Sequence, residues 1–167
     1  LEEAVAEEKG EPKPVETECS ADIVVSANIP EKYVPSAEQR MDLYRRIAKV
    51  RTEEEADEMI AELIDRFGDP PSETLALINI ALLRGEAAGA GIKEIAQKAG
   101  WLRFSLVDFD MRIVTALYER PEYKGRVKVE AGTEPVIALK LRSGKNTLDE
   151  AAKFVRDYGA LRKQLGA

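Results

Sequence analysis

The sequence has no histidine and a single cysteine, Cys19, among its 167 residues. Without histidine there can be no Ser-His-Asp or Cys-His catalytic site, no His-ligated metal and no side chain whose unperturbed pKa lies near neutrality. One cysteine without histidine does not supply the ligands that zinc needs. We therefore expect no catalytic residue, no cofactor and no metal site. Carboxylate or lysine chemistry stays open, but no residue pattern singles it out.

The chain also lacks long apolar runs. No stretch approaches the ~20 residues that a membrane helix needs, and the sequence does not open with a basic, apolar leader. The lone cysteine cannot form an internal disulfide, which is typical of a reducing compartment, so we expect a cytoplasmic protein. Because the chain begins with Leu1 rather than methionine, we also expect it to be part of a longer polypeptide.

Positive charge is scarce too, with 25 Lys and Arg against 31 Asp and Glu and a net charge of −6. Residues 1–18 carry seven glutamates against two lysines, a balance of −5, so the remaining residues sum to about −1 (−6 minus −5). Binding to nucleic acid generally draws on a positive face, and the linear sequence shows no such segregation. We therefore expect no direct contact with nucleic acid.

The composition divides the chain into two parts. Residues 1–21 are acidic, contain Pro12 and Pro14 and show little apolar periodicity, so we predict a linker that follows the end of a preceding region. Residues 22–167 have the length and the apolar content of one domain with its own core. This domain opens with a predicted edge strand at residues 22–28.

Three helices are predicted next. Ser36 and Thr52 each stand three residues before Gln or Glu, the spacing of a capping box, so a helix begins after each of them. The helix behind Thr52 has a continuous apolar face, and Gly68 follows it as a cap. That face consists of Ala56, Met59, Ile60, Leu63, Ile64 and Phe67. The pair Pro70-Pro71 begins a third, centrally buried helix that ends near Gly91.

Strands dominate the remainder of the chain. They are predicted at residues 92–96, 101–107, 126–130 and 135–141, with a short helix at residues 111–119. Thr147 with Glu150 indicates another capping box, and a closing helix runs from Leu148 to about Gln164. The order of the elements favours an α+β fold, because helices come first and are followed by strands in hairpins and a closing helix. We predict a helical N-terminal half packed on a small antiparallel sheet, with the C-terminal helix closing the domain.

Two motifs with chemical associations have simpler interpretations. The sequence G-K-N at residues 144–146 resembles part of a phosphate loop, but Asn146 stands where Ser or Thr is required, so we predict a turn. Trp101, Phe104 and Phe109 are residue types used in base-stacking platforms for single strands. Such a platform needs a basic groove, which the sequence does not indicate, so we assign these aromatic residues to the core.

Four acidic residues of the second helix are spaced three, four and three apart: Glu55, Glu58, Glu62 and Asp65. That spacing places them on one face of the helix, away from the apolar stripe. Such a stripe either keeps the helix soluble or forms a docking surface for arginines of a partner, where ion pairs contribute orientation and specificity more than affinity. Both interpretations remain open, and we take these four residues as the candidate partner contacts.

Three linked signatures in the N-terminal half of the chain resemble the C-terminal domain of bacterial transcription-repair coupling factor. They read I-P-x-x-Y-V-P from Ile29, R-M-x-x-Y-R-R-I-A from Arg40 and E-L-I-D-R-F-G-x-x-P from Glu62, in the order expected for that family. The resemblance covers residues 22–167, strongly through Ile92 and loosely thereafter. Residues 1–8 resemble the end of the translocase region that precedes this domain.

The resemblance implies a non-catalytic domain of an ATP-driven DNA translocase that displaces stalled RNA polymerase at lesions and recruits the repair protein UvrA. In that family the domain folds back on a UvrB-like N-terminal region of the same polypeptide and masks the surface that UvrA uses. By this analogy Glu62 and Asp65 contact the covered region. RNA polymerase and DNA are reached only through other domains, and a monomer without membrane association is expected.

Two other functions are weighed against this one. A small-molecule regulatory domain would hold its ligand in a pocket of the strand region. A hydrolase that uses a pair of carboxylates would need two acidic residues at a defined spacing, and no such pair stands out in the sequence.

Overall fold

The computed structural model describes residues 18–130 and 132–166, which form five helices and a five-stranded sheet. In chain order the elements are β1 (Ser20–Asp22), α1 (Ala37–Ile47), α2 (Glu53–Phe67), α3 (Ser72–Gly89), β2 (Ile92–Lys98), β3 (Trp101–Leu106), α4 (Met111–Tyr118), β4 (Val127–Glu130), β5 (Val136–Lys140) and α5 (Thr147–Gln164). The predicted α+β class and the closing C-terminal helix are confirmed. The predicted end of a preceding region at residues 1–8 and most of the predicted linker lie outside the described residues.

The strands lie in the order β1-β2-β3-β5-β4. The pairs β2–β3, β3–β5 and β4–β5 are antiparallel as predicted, whereas β1 pairs with β2 in parallel, so the sheet is mixed. The edge strand predicted at residues 22–28 is displaced and ends at Asp22. Two residues beyond β1, the amide of Val24 donates to the side-chain oxygen of Gln97 at 2.9 Å and not to a strand carbonyl. Cys19, ahead of β1, is already buried.

The sheet has one face in the core and one face toward solvent. In β3, Leu102, Phe104 and Leu106 are buried, and the alternate residues Trp101 and Arg103 are half-exposed. The inner side packs against α3, α4 and α5, where the ring of Phe104 stacks on that of Phe154 in α5 at 4.2 Å between centroids. This alternation is typical of an antiparallel sheet with helices on one side.

A second, smaller core lies between α1, α2 and α3, and α3 belongs to both cores. Leu43, Leu63 and Ile78 are fully buried in the helical core, while Leu83 and Ala87 of α3 face the sheet core. This explains why the sequence of α3 is apolar nearly all round, as predicted for a central helix. Within the described ranges, no helix combines the length and the hydropathy needed to cross a bilayer.

The start of α5 differs from the prediction by one residue, with consequences for Glu150. The N-cap is Asn146, whose side chain accepts the amide of Asp149 at 3.1 Å, so Thr147 is already helical and the predicted Thr147–Glu150 box does not form. Asn is at least as good an N-cap as Thr. Glu150 turns inward instead, is 7% exposed, and contacts Arg126 and Arg142.

Candidate interaction surface

The hairpin of α1 and α2 carries all four predicted contact residues, and its two N-termini are capped as the sequence indicates. The side chain of Ser36 accepts the amide of Gln39 at 3.2 Å at the start of α1. At the start of α2 the capping box of Thr52 and Glu55 forms in both directions, at 3.1 and 3.2 Å. The carboxylate of Glu55 is therefore occupied by the backbone of its own helix.

The residues that carry the family signatures fix the extended segment before α1 to this hairpin. The hydroxyl of Tyr44 accepts the amide of Ile29 at 2.7 Å, and the hydroxyl of Tyr33 donates to the carbonyl of Gly68 at 2.7 Å, where α2 ends. Arg40 donates to the carbonyl of Val34 at 2.8 Å. These contacts thus hold the segment before α1 against the hairpin.

Glu62 joins the two helices of the hairpin. Its carboxylate accepts two hydrogen bonds from Arg46 of α1, at 2.6 and 2.5 Å, and a third from Arg66 at 3.0 Å. The paired donation of Arg46 is the main cause that lowers the pKa of Glu62 to about 2, and Arg66 adds to it. A planar guanidinium held by both carboxylate oxygens is the geometry in which an ion pair is strongest. Glu62 is therefore engaged within the domain.

The Arg46–Glu62 pair predicts a pH-dependent stability. Because the pKa of Glu62 falls from its ordinary 4.5 to about 2 on folding, its contribution is present above pH 4.5 and is lost as the pH falls toward 2. Both side chains keep about a third of their surface exposed, so solvent screening limits the contribution to about 1 kcal/mol. We expect Glu62→Gln to lower the free energy of unfolding by about that amount at pH 7, measured by urea denaturation, and by progressively less between pH 4.5 and 2.5. A deficit that does not change with pH would contradict this account.

The four predicted contacts lie along one side of α2 but do not all face the same neighbours. Glu55, Glu58 and Glu62 line a shallow cleft between α1 and α2, together with Arg46 and other residues of α1, whereas Asp65 is not part of that lining. The 3.6-residue helical period explains the division, because Glu55 and Glu62 are seven positions apart and turn toward α1.

The outward face of α2 is instead formed by Glu54, Asp57, Glu58 and Asp65, which we call the acidic face. All four are exposed, and none makes an ion pair or a side-chain hydrogen bond with residues of the ranges 18–130 and 132–166. Sequence reasoning identified Glu58 and Asp65 but missed Glu54 and Asp57. The signal was present, because Glu54 stands four positions before Glu58 and Asp65 seven positions after it.

The strand region has a filled interior where the regulatory-domain hypothesis places a ligand. Phe104, Phe154 and Tyr158 are fully buried and their rings lie against one another. Two open grooves of about 440 and 580 Å³ lie between α3 and α5, and the Glu86–Arg156 ion pair borders both. The thiol of Cys19 is buried, which raises its pKa to about 11 and makes it a poor nucleophile at neutral pH.

Sequence comparisons match this chain to one family. The family model described as the TRCF domain matches residues 23–112, more than half of the chain. The transcription-repair-coupling factor of Myxococcus xanthus is 31% identical over 169 residues, which cover 94% of this chain and 13% of that protein. That of Bacillus subtilis is 35% identical over 107 residues, which cover 64% of this chain and 9% of that protein. The chain therefore spans about an eighth of the length of the Myxococcus relative.

A solved structure has the same architecture. The crystal structure of the C-terminal domain of a transcription-repair coupling factor superposes with a TM-score of 0.76, covering 89% of this chain and 97% of that one. At 15% identity this likeness shows a shared fold, in agreement with the helical hairpin, the mixed sheet and the closing helix described above. Together with the family match and the curated relatives, it establishes that the chain belongs to the TRCF domain family.

Proposed function

We propose that this domain is a non-catalytic, releasable cover in a cytoplasmic transcription-repair coupling factor. In the full-length protein, an ATP-dependent DNA translocase that displaces stalled RNA polymerase at lesions, the domain docks on the UvrB-like N-terminal region. It thereby masks the surface through which UvrA is recruited, until the domain is released. RNA polymerase and duplex DNA are engaged through other domains of the polypeptide.

The observation that carries the proposal is the acidic face of α2. Four exposed carboxylates on one helix, Glu54, Asp57, Glu58 and Asp65, have no partner within the described ranges. Unpaired charges of one sign on a rigid, capped helix are suited to arginine and lysine side chains of a partner. Glu62, which the sequence also suggested, supports this surface indirectly by holding α2 against α1.

A surface of exposed charges fits a cover that has to be released. Within one polypeptide the linker between two domains sets a high effective concentration, so even a weak contact keeps the domain docked. Exposed ion pairs contribute little each and weaken with salt. A contact of this kind can be displaced by a competing partner more easily than a large apolar interface.

Charge reversal on the acidic face tests the proposal in the full-length protein. We expect Glu58→Lys/Asp65→Lys to increase the affinity for UvrA at least tenfold, because loss of docking exposes the masked surface. Binding would be measured by titration with labelled UvrA at two salt concentrations. Raising the salt should also increase the affinity of the unmodified protein for UvrA, toward that of the variant, because salt weakens the masking contact.

The choice of residues keeps folding and docking separate. Glu62 is left unchanged, since a lysine there would face Arg46 and Arg66 and disturb the hairpin itself. A matched control, Glu94→Lys/Glu119→Lys, makes the same charge change at two other exposed positions, one in β2 and one directly after the C-terminal end of α4. This control should leave UvrA binding unchanged. An unaltered affinity in the acidic-face variant, or an equal gain in the control, would refute the proposed role.

A further inference from the structure

The outer face of the sheet concentrates positive charge around one aromatic ring. Trp101 begins β3, and its direct neighbours across the sheet are Lys98 in β2 and Lys140 in β5. Residues directly opposite in an antiparallel pair point to the same face. Lys128 of β4 completes the group, with its ammonium nitrogen 5.8 Å from the centroid of the indole ring. We call these four residues the Trp101 cluster.

A tight turn holds this cluster in place. The β2–β3 hairpin turns through Ala99 and Gly100, both with positive φ, at 46° and 84°. Two positive φ values in a two-residue loop match the twist of the strands they connect. The carbonyl of Gly100 also accepts the amide of Leu141 at 2.8 Å, which fixes the turn to the chain beyond β5. Lys98 and Trp101 are therefore displayed by a rigid sheet and not by a loop.

The lysines of the cluster have no acidic partners. Lys98, Lys128 and Lys140 are exposed, and none forms an ion pair with any residue of the two described ranges. On the same face, the next basic residue, Arg103, is bound to Glu130 and adds no net charge. Three ammonium groups thus surround a half-exposed indole at one end of the sheet.

The sequence alone assigned the aromatic residues to the core and indicated no basic surface, and the structure differs on both points. Phe104 lies in the core as expected, but Trp101 does not, and Phe109 is 44% exposed at another corner of the domain. The net charge of the chain conceals the cluster because its lysines come from three strands that are distant in sequence. Only the register of the strands brings them around the ring.

We propose that the Trp101 cluster binds single-stranded nucleic acid. An unstacked base can lie against the indole, and the surrounding ammonium groups can contact the phosphates on either side of it. A base inside a duplex keeps its faces stacked on its neighbours and cannot use the ring in this way. Charge complementarity therefore favours a polyanion, and the exposed aromatic face favours one whose bases are free.

The sole tryptophan of the chain makes the proposal directly measurable. We expect a twelve-nucleotide oligo-dT to quench the fluorescence of Trp101 when added to the 167-residue chain at low salt, and a duplex of the same length to quench it much less. With three phosphates neutralised, a plot of log affinity against log salt concentration should have a slope of about −2.

Variants separate stacking from charge, with labelled oligo-dT followed by fluorescence anisotropy. Trp101→Ala should weaken binding about tenfold, the typical contribution of one stacked base, and Trp101→Phe should retain most of the affinity. Lys128→Gln/Lys140→Gln should reduce the salt slope by more than half, while Lys32→Gln/Lys49→Gln removes equal charge from exposed positions of the helical half and should not. Equal quenching by the duplex, equal losses in the two lysine pairs, or no binding at low salt would each overturn the proposal. Contact of Trp101 with the UvrB-like region instead of the oligonucleotide would also overturn the proposal. The outer face of the sheet would then be a protein interface.

Discussion

Replacing Glu150 with alanine is expected to lower the free energy of unfolding by about 3 kcal/mol, the typical cost of removing one member of a buried ion pair. The side chain of Glu150 is 5% exposed and receives hydrogen bonds from Arg126 at 2.6 Å and from Arg142 at 2.7 Å. The measurement is urea denaturation of the 167-residue chain at pH 7, with midpoint and slope compared to the unmodified protein.

The size of the effect follows from what the two arginines do without this carboxylate. Arg142 is 44% exposed and can turn into solvent. Arg126 is only 15% exposed and is held by the carbonyls of Glu122 and Lys140, so its charge stays buried without a counter-ion. The loss therefore comes mainly from Arg126, and it should spread to β4, β5 and the start of α5.

Two comparisons test this explanation. Asp149→Asn changes the neighbouring, exposed carboxylate and should alter stability by less than about 0.5 kcal/mol, as is usual for surface positions. Adding Arg126→Leu to Glu150→Leu should recover part of the loss, because no unpaired charge then remains buried. A loss below 1 kcal/mol for Glu150→Ala, or no coupling in the double variant, would show that Arg126 relaxes into solvent.

The sequence could predict the existence of α5 but not the role of Glu150. A Thr–x–x–Glu spacing is a valid helix start, and only the competing cap, Asn146, moves the helix by one residue. In the folded domain Glu150 contacts Arg126, which lies 24 positions away in the chain and is placed by the pairing of β4 with β5. Local spacing contains no information on such a long-range pairing.

The same limit applies to the candidate surfaces. Helical spacing correctly placed Glu58 and Asp65 on an exposed face of α2, because their positions depend on one helix alone. It could not show that Glu62 is bound by Arg46, which depends on how α1 crosses α2. The Trp101 cluster depends on the register of four strands, and no single strand contains enough of it to be noticed.

Gly85 is the position where a single methyl group is expected to be most disruptive. Gly85 lies within α3, directly against the backbone of Arg51. A Cβ at this position would lie 2.6 Å from both the Cα and the carbonyl oxygen of Arg51. Because backbone atoms cannot rotate away, α3 would have to separate from the α1–α2 connection.

We expect Gly85→Ala to lower the free energy of unfolding by about 2 kcal/mol, measured by urea denaturation. Overpacking of this kind costs up to about 3 kcal/mol, and the better helix propensity of alanine offsets about 1 kcal/mol of it. The unfolding slope should stay unchanged if the domain still folds as one unit.

Gly89→Ala is the matched control, because it makes the same substitution one turn later in the same helix. A Cβ at Gly89 would meet nothing within 4 Å, so only the helix propensity changes, and we expect a gain of up to about 1 kcal/mol. The two variants should therefore shift stability in opposite directions. If both were stabilising, the contact between α3 and Arg51 would be loose enough to accept a methyl group. The α1–α2 hairpin, which carries the acidic face, would then be held against α3 less tightly than its packing indicates.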